Sequence, residues 1–126
     1  MNVLLVDDDD AHRIFLRQAF VKKLNATVME AKNGVEALRV LDKLTPDVVM
    51  LDLWMPVMNG QDLLEKLRAE DRWKDVPVII MSALRDKEIV QKLMKLKISD
   101  YMVKPITVEQ LTERITKLFA DVVQPQ

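Results

Sequence analysis

One residue type and several sequence patterns are missing from this sequence of 126 residues, and each absence excludes a class of protein. There is no cysteine, which excludes disulfide scaffolds and thiol chemistry and fits a reducing cytosol. Lysine and arginine do not exceed aspartate and glutamate, so the net charge of −1 offers no basic face for nucleic acid. No apolar stretch approaches the roughly 18 residues that a membrane span needs, and the apolar N-terminus is too short for a signal peptide. We therefore expect a cytoplasmic protein with no direct contact to nucleic acid or membrane.

Short apolar runs alternate five times with amphipathic segments. The runs predict five strands, near residues 3–6, 27–31, 47–51, 76–81 and 101–103, each followed by a helix. Asp9 or Asp10 is expected to cap the first helix and Asn33 the second, while Thr107 and Gln110 form a capping box for the last. Because the strands are apolar throughout, they are expected to be buried on both faces. The pattern predicts a doubly wound α/β domain with a five-stranded parallel sheet in the flavodoxin-like order 2-1-3-4-5 and helices on both faces.

Polar side chains stand where the predicted strands end. Asp7 and Asp8 follow the first strand and Asp52 the third. Ser82 follows the fourth and Lys104 the fifth. In open α/β sheets, ligands bind beyond the carboxyl ends of the strands, where the strand order reverses. One aspartate at a strand end is more often a cap or a loop residue, but four strand ends with complementary chemistry indicate a site.

Three carboxylates held together repel one another, by about 4 kcal/mol for each pair at about 4 Å and an effective dielectric near 20. Such a cluster needs a cation, protonation or deep solvation. Carboxylate and carbonyl oxygens suit Mg²⁺, whereas zinc prefers nitrogen and sulfur donors, and the chain has one histidine and no cysteine. That histidine, His12, is expected on the surface or in helix packing rather than as a ligand. With Mg²⁺, Lys104 and Ser82 would neutralise a transferring phosphoryl group, and Asp52 would be its acceptor.

Five short motifs follow one another in a specific order. They are Val-Asp-Asp at 6–8, Leu-Asp-Leu-Trp-Met-Pro at 51–56, Asn-Gly at 59–60, Ser-Ala at 82–83 and Tyr-Met-Val-Lys-Pro at 101–105. In this order the chain resembles the receiver domain of two-component response regulators, from Val3 to about Phe119. The resemblance implies a receiver domain over residues 1–122, with 123–126 as a tail or the start of a linker. It also implies a phosphoacceptor switch rather than an enzyme.

The resemblance implies a role for each residue of the acidic cluster. Asp52 would be the phosphoacceptor and a Mg²⁺ ligand, and Asp8 a direct Mg²⁺ ligand. Asp7 would act on the metal mainly through water, and the backbone carbonyl of Trp54 would be a further ligand. The phosphoryl donor would be a phosphohistidine on a sensor histidine kinase or a phosphotransfer protein.

The resemblance also implies how the phosphoryl group is read. Lys104 would pair with its oxygens, directed inward by a cis peptide bond before Pro105. Ser82 would move to hydrogen-bond to it, and the ring of Tyr101 would fill the vacated space. The face made by the fourth helix, fifth strand and fifth helix would then bind a downstream effector that the sequence does not name. The protein would be a monomer or a weak phosphorylation-dependent dimer.

The chain departs from the family pattern in three places. Lys97-Ile98 stands where the family commonly has Gly-Ala, so the fourth helix ends without its usual glycine. Trp54 lies two residues after Asp52, and Leu84 lies two residues after Ser82. In this family those two positions flank the path of the attacking water. Since both side chains are bulky and apolar, we predict a phosphoryl group that decays slowly.

Two other functions compete with this interpretation. A phosphatase of the haloacid dehalogenase type also uses an aspartyl phosphate and Mg²⁺, but it needs Asp-x-Asp, and Trp54 stands at the second position. It usually carries a cap insertion as well, for which this chain has no room. A receiver-like protein that binds partners without phosphorylation typically loses part of the acidic pocket, which is complete here.

Overall fold

Strands and helices alternate along the chain in the computed structural model, which describes residues 1–83 and 87–120. Within these residues the elements are β1 (Asn2–Val6), α1 (Asp10–Leu24), β2 (Thr27–Ala31), α2 (Gly34–Lys43), β3 (Val48–Asp52), α3 (Gly60–Ala69), β4 (Val78–Ser82), α4 (Lys87–Met94), β5 (Asp100–Val103) and α5 (Val108–Phe119). Leu84 and the predicted tail at 123–126 lie outside the described residues. Among those that are described, no helix has both the length and the apolar character to cross a membrane.

The five strands form one parallel sheet in the order β2-β1-β3-β4-β5, as the sequence predicts. In this register Val6 lies beside Leu51, and Asp52 lies beside Met81. Neighbouring strands therefore end at nearly the same level. Whatever follows Val6 in the chain is placed directly beside Asp52 at the carboxyl edge of the sheet.

The central strands β1, β3 and β4 are largely apolar and buried because successive side chains point to opposite faces of the sheet and each face is covered. The edge strands β2 and β5 are only partly buried, so the expected burial on both faces does not hold for them. In β1, Leu4 and Val6 belong to one buried cluster, whereas Val3 and Leu5 belong to the other. The first cluster includes side chains of α2, α3 and α4, and the second those of α1 and α5. This confirms the predicted helix layers on both faces.

The helix starts largely follow the predicted caps. The carboxylate of Asp9, rather than Asp10, caps α1 by accepting the backbone N–H of His12 at 3.2 Å. The side chain of Asn33 caps α2, and the capping box of Thr107 forms at α5. The fourth strand begins at Val78 instead of the predicted Val76. The backbone N–H of Val76 donates to the carbonyl of Trp73 in a turn that precedes the strand.

Candidate functional site

Three carboxylates from two strand ends meet at the carboxyl edge of the sheet. Asp7 and Asp8 follow β1, and Asp52 ends β3 beside it. One carboxylate oxygen of each lies within 4.8 Å of the others. Asp7 is fully buried and Asp52 is 6% exposed, whereas Asp8 is exposed to solvent. The structure therefore brings together the three residues that the sequence predicts as an acidic cluster.

Lys104 lies over this cluster. Its Nζ is 3.3 Å from Oδ2 of Asp7 and 3.5 Å from Oδ1 of Asp52, so one cation contacts two of the three carboxylates. The Lys104–Pro105 peptide bond is cis, as the resemblance implies. The backbone N–H of Lys104 also donates to the carbonyl of Ser82 at 2.8 Å, which ties the ends of β4 and β5 together. Ser82 itself is fully buried at the end of β4.

The chain folds back tightly after Asp52. The side chain of Asn59 accepts the backbone N–H of Asp62 at 2.9 Å and so caps α3. A Cβ atom on Gly60 would lie only 2.4 Å from the backbone oxygen of Asp52, so the position requires glycine. The N–H of Gly60 donates to the carbonyl of Leu53 at 3.0 Å. The Asn-Gly motif thus presses the start of α3 against the end of β3.

The loop between β3 and α3 also carries Trp54, whose side chain is 49% exposed. Its backbone carbonyl follows Asp52 by two residues, and its role as a metal ligand stays a prediction. Val57, in the same loop, is largely exposed and has a φ of 69°, a left-handed conformation that costs a β-branched residue energy.

The electrostatics of Asp52 follow from its surroundings. Burial raises the pKa of Asp52 from the usual 3.8 to about 6, and the charge of Asp7 adds to this rise. Lys104 and the backbone N–H of Trp54 act in the opposite direction but do not outweigh them. Without a metal, the ionised form of this carboxyl group is therefore disfavoured in the folded protein.

Asp7 behaves differently although it is even less exposed. Burial alone would raise the pKa of Asp7, but the hydrogen bond from His12 lowers it, and the backbone N–H of Asp9 and the charge of Lys104 add to that effect. The net result is a pKa below the usual value. The pKa values of these two aspartates thus shift in opposite directions. Several hydrogen-bond donors and a cation stabilise the charge of Asp7, whereas burial and the charge of Asp7 disfavour that of Asp52.

The donor set fits a magnesium ion. Three carboxylates supply hard oxygen ligands and a negative charge that a divalent cation would neutralise. Within the described residues His12 is not part of this ligand group, since its Nδ1 faces Asp7. The set has no nitrogen or sulfur ligand of the kind that zinc prefers.

Two residues at the start of α1 make contacts that the sequence did not predict. His12 packs in the helix as expected, but its Nδ1 also lies 2.5 Å from Oδ2 of Asp7. Arg13 is buried, and its Nη1 donates to the backbone carbonyl of Asp7 at 2.8 Å. Its Nε donates to Glu30 on β2 at 3.1 Å. The available signal was position, because side chains in a first helical turn point back towards the preceding loop.

The end of α4 is formed without the usual glycine. Lys97 has a φ of 58°, so a lysine adopts the left-handed conformation there. Arg68 of α3 donates to the backbone carbonyls of Leu96 and Lys97, at 2.7 and 3.1 Å. These bonds attach the turn that follows α4 to α3. Tyr101, the predicted switch residue, is half-buried on the neighbouring β5.

Comparison with known proteins agrees with this geometry. The family model of the response regulator receiver domain matches residues 3–116. Chemotaxis protein CheY1 of Helicobacter pylori is 35% identical over 116 residues, which cover 91% of this chain and 94% of that protein. The receiver domain of the Francisella response regulator 1452 superimposes with a TM-score of 0.86 at 31% identity, covering 96% of this chain and 98% of the other.

A third relative shows the same domain in a larger setting. The sensor histidine kinase TmoS of Ectopseudomonas mendocina is 31% identical over 118 residues, which cover 94% of this chain but only 12% of that protein. Receiver domains pair with histidine kinases and downstream effectors, and they typically bind Mg²⁺. The fold, the acidic cluster and these likenesses lead to one conclusion: the chain belongs to the receiver domain family of two-component response regulators.

Proposed function

We propose that this protein is switched by Mg²⁺-dependent phosphorylation of Asp52 from a phosphohistidine donor. The observation that carries the proposal is the meeting of Asp52 with Asp7 and Asp8 under the ammonium group of Lys104. The donor would belong to a sensor histidine kinase or a phosphotransfer protein. We place the reaction in the cytoplasm and regard the protein as a phosphoacceptor switch rather than a multiple-turnover enzyme.

In the transfer step, an oxygen of the ionised Asp52 carboxylate attacks the phosphorus of the phosphohistidine. A P–O bond forms while the P–N bond breaks, and the electron pair of that bond remains on the imidazole nitrogen, which takes up a proton from water. The product is an acyl phosphate on Asp52. When bound, Mg²⁺ would offset the negative charge of the carboxylates and of the phosphoryl oxygens.

Lys104 is placed to serve the substrate and the product in turn. Before transfer its ammonium group contacts both Asp7 and Asp52, which offsets their repulsion. After transfer the phosphoryl oxygens carry the larger negative charge, so Lys104 would turn towards them. Positioning and charge neutralisation supply most of the catalysis in phosphoryl transfer, and both are provided by groups already at the sheet edge.

The change would be transmitted through β4 and β5. Ser82 would donate its hydroxyl proton to a phosphoryl oxygen, and Tyr101 would fill the space that Ser82 leaves. Because the carbonyl of Ser82 accepts the N–H of Lys104, a displacement at the end of β4 acts directly on β5. The output surface would be the face of α4, β5 and α5, where Met94 and Val103 are exposed apolar residues. In physical terms this is a population shift between two states.

The test is the intact mass of the protein after incubation with acetyl phosphate or phosphoramidate and Mg²⁺. We expect one phosphoryl group per chain, and none on the variant Asp52→Asn. The variant Asp71→Asn is a matched control, since Asp71 is a fully exposed aspartate outside the acidic cluster. A parent protein that gains no mass, or an adduct that survives Asp52→Asn, would contradict the proposal. A dehalogenase-type phosphatase would instead release phosphate continuously.

A further inference from the structure

His12 lies against the acidic cluster in a fixed orientation. Its Nδ1 is 2.5 Å from Oδ2 of Asp7, and only 15% of its side chain is exposed. The ring stacks on that of Phe15, one helical turn further on, with 6.2 Å between centroids and an interplanar angle of 17°. The backbone N–H of His12 is also bound to the capping carboxylate of Asp9. Ring and backbone are therefore both held in place.

The two ring nitrogens of His12 have opposite surroundings. Nδ1 faces a carboxylate, which can only accept a hydrogen bond. Nε2 is buried and has no hydrogen-bond partner in the part of the chain that the structure describes. A proton on Nε2 would leave a buried N–H unsatisfied, which costs free energy. Of the two neutral tautomers, the arrangement therefore favours the one with the proton on Nδ1, which acts as a donor to Asp7.

We infer that His12 is a positioning residue that holds the carboxylate of Asp7 in the orientation required for binding Mg²⁺. The inference rests on the proposed function, because that function requires the metal. Both oxygens of Asp7 are restrained, since Oδ1 accepts the backbone N–H of Asp9 at 2.9 Å and Oδ2 lies between His12 and Lys104. With both oxygens restrained, the carboxylate plane is fixed relative to Asp8 and Asp52.

Of the two donors to Oδ2 of Asp7, Lys104 is expected to leave during the reaction and His12 to remain. Lys104 also contacts Asp52, and in the proposed reaction it turns towards the phosphoryl group. His12 forms its side-chain hydrogen bond with Asp7 and sits on the first turn of α1, so in the proposed reaction it stays with Asp7. Groups of this kind, which hold a metal ligand without touching the metal, commonly change metal affinity by about tenfold or more when they are removed.

A matched pair of variants separates hydrogen bonding from packing. Asparagine and leucine have nearly the same shape, but His12→Asn keeps an N–H donor close to the position of Nδ1 and His12→Leu does not. Mg²⁺ affinity is measured by titration of tryptophan fluorescence, in which Trp54 lies beside the site and Trp73 is buried elsewhere. We expect His12→Leu to weaken Mg²⁺ binding about tenfold and His12→Asn to restore most of the loss.

A second readout needs no metal. The chain has a single histidine, so the ¹⁵N signals of its imidazole are assigned without ambiguity. In the metal-free parent protein, at a pH where the ring is neutral, we expect the pattern of the Nδ1–H tautomer. The tautomer with the proton on Nε2 would overturn the inference, because His12 could not then donate to Asp7.

The outcomes of the titration also distinguish this inference from the proposed function. If both variants bind Mg²⁺ as the parent does, His12 does not position Asp7. If both lose affinity equally, the contribution of His12 is packing, and the inference is again wrong. A parent protein that binds no Mg²⁺ contradicts the proposed function itself and the inference with it. Thermal melts of both variants show whether the fold is retained.

Discussion

The interior of the sheet and the two buried aspartates at its carboxyl edge, Asp7 and Asp52, differ in what burial does to stability. In β1 the side chains from Val3 to Val6 are fully buried and apolar, and the next residue, Asp7, is also fully buried but charged. In β3 the same change occurs between Leu51 and Asp52. Burial of apolar area stabilises the fold, whereas burial of charge costs free energy unless the charge is paired. At this edge the cost falls on Asp52, whose pKa is raised, whereas Asp7 is paired with His12 and Lys104 and its pKa is lowered.

The largest effect is expected in the interior. Leu5 is fully buried in the cluster under α1 and α5, so Leu5→Ala should lower the free energy of unfolding by about 2–5 kcal/mol. Urea denaturation measures the change. Leu44→Ala is the control, because Leu44 is 43% exposed and its loss should cost little. Equal losses in the two variants would contradict the assignment of the core.

At the carboxyl edge, removal of the charge of Asp52 should raise the free energy of unfolding rather than lower it. The pKa of Asp52 is about 6 in the folded protein and 3.8 when unperturbed, which corresponds to about 3 kcal/mol of destabilisation when the carboxyl group is ionised. In metal-free buffer above pH 6, Asp52→Asn should therefore raise the free energy of unfolding, by up to about this amount. Below a pH of 3.8 the carboxyl group is neutral in both states, so the gain should disappear.

Urea denaturation of the parent and the Asp52→Asn variant over this pH range is the measurement. A variant that is less stable than the parent above pH 6 would show that the carboxylate of Asp52 is not destabilising. A gain that stays constant with pH would show that it does not come from ionisation.

Mg²⁺ should reduce the cost in stability of the carboxylates at the sheet edge. Because it is expected to bind the folded acidic cluster and hardly the unfolded chain, a concentration of ten times its Kd should stabilise the parent by about 1.4 kcal/mol. Thermal melts with and without millimolar Mg²⁺ measure this, and Asp8→Asn should lose most of the gain. An unchanged melt of the parent would count against the metal assignment.

The smallest effect is expected on the lifetime of the phosphoryl group. If Trp54 hinders the attacking water, Trp54→Asn should lose phosphate faster, by about threefold or 0.6 kcal/mol of activation free energy. The decay of the phosphorylated intact mass gives the rate. Leu84, outside the described residues, offers the parallel variant Leu84→Glu. Decay no faster than in the parent would refute the predicted shielding.

Much of the architecture was predictable because its signals are local. Largely apolar runs marked the strands, and the caps at Asn33 and Thr107 were readable because a short polar side chain precedes each helix. The meeting of Asp7, Asp8 and Asp52 followed from strand order alone. The strands and the caps depend on residues that are neighbours in the chain, and the acidic cluster depends on the residues that end neighbouring strands.

Other features could not be predicted from the sequence, because they depend on the direction of a side chain or on a choice between two similar residues. Asp9 and Asp10 are both good caps, and only the backbone geometry selects Asp9. The position of His12 on the first turn of α1 indicates that its side chain points back towards the preceding loop, but it does not show that the partner is Asp7. The left-handed Lys97 is also unpredictable, because lysine has no preference for that conformation.

Arg68 attaches the connection after α4 to α3, and this bears on how such domains diverge. Its guanidinium binds the carbonyls of Leu96 and Lys97, which every amino acid possesses, and does not depend on their side chains. The connection after α4 can therefore change its residues without losing this attachment to α3. Mutations can accumulate beside the proposed output face, and new partner preferences can evolve there, while the framework that carries Asp52 stays the same.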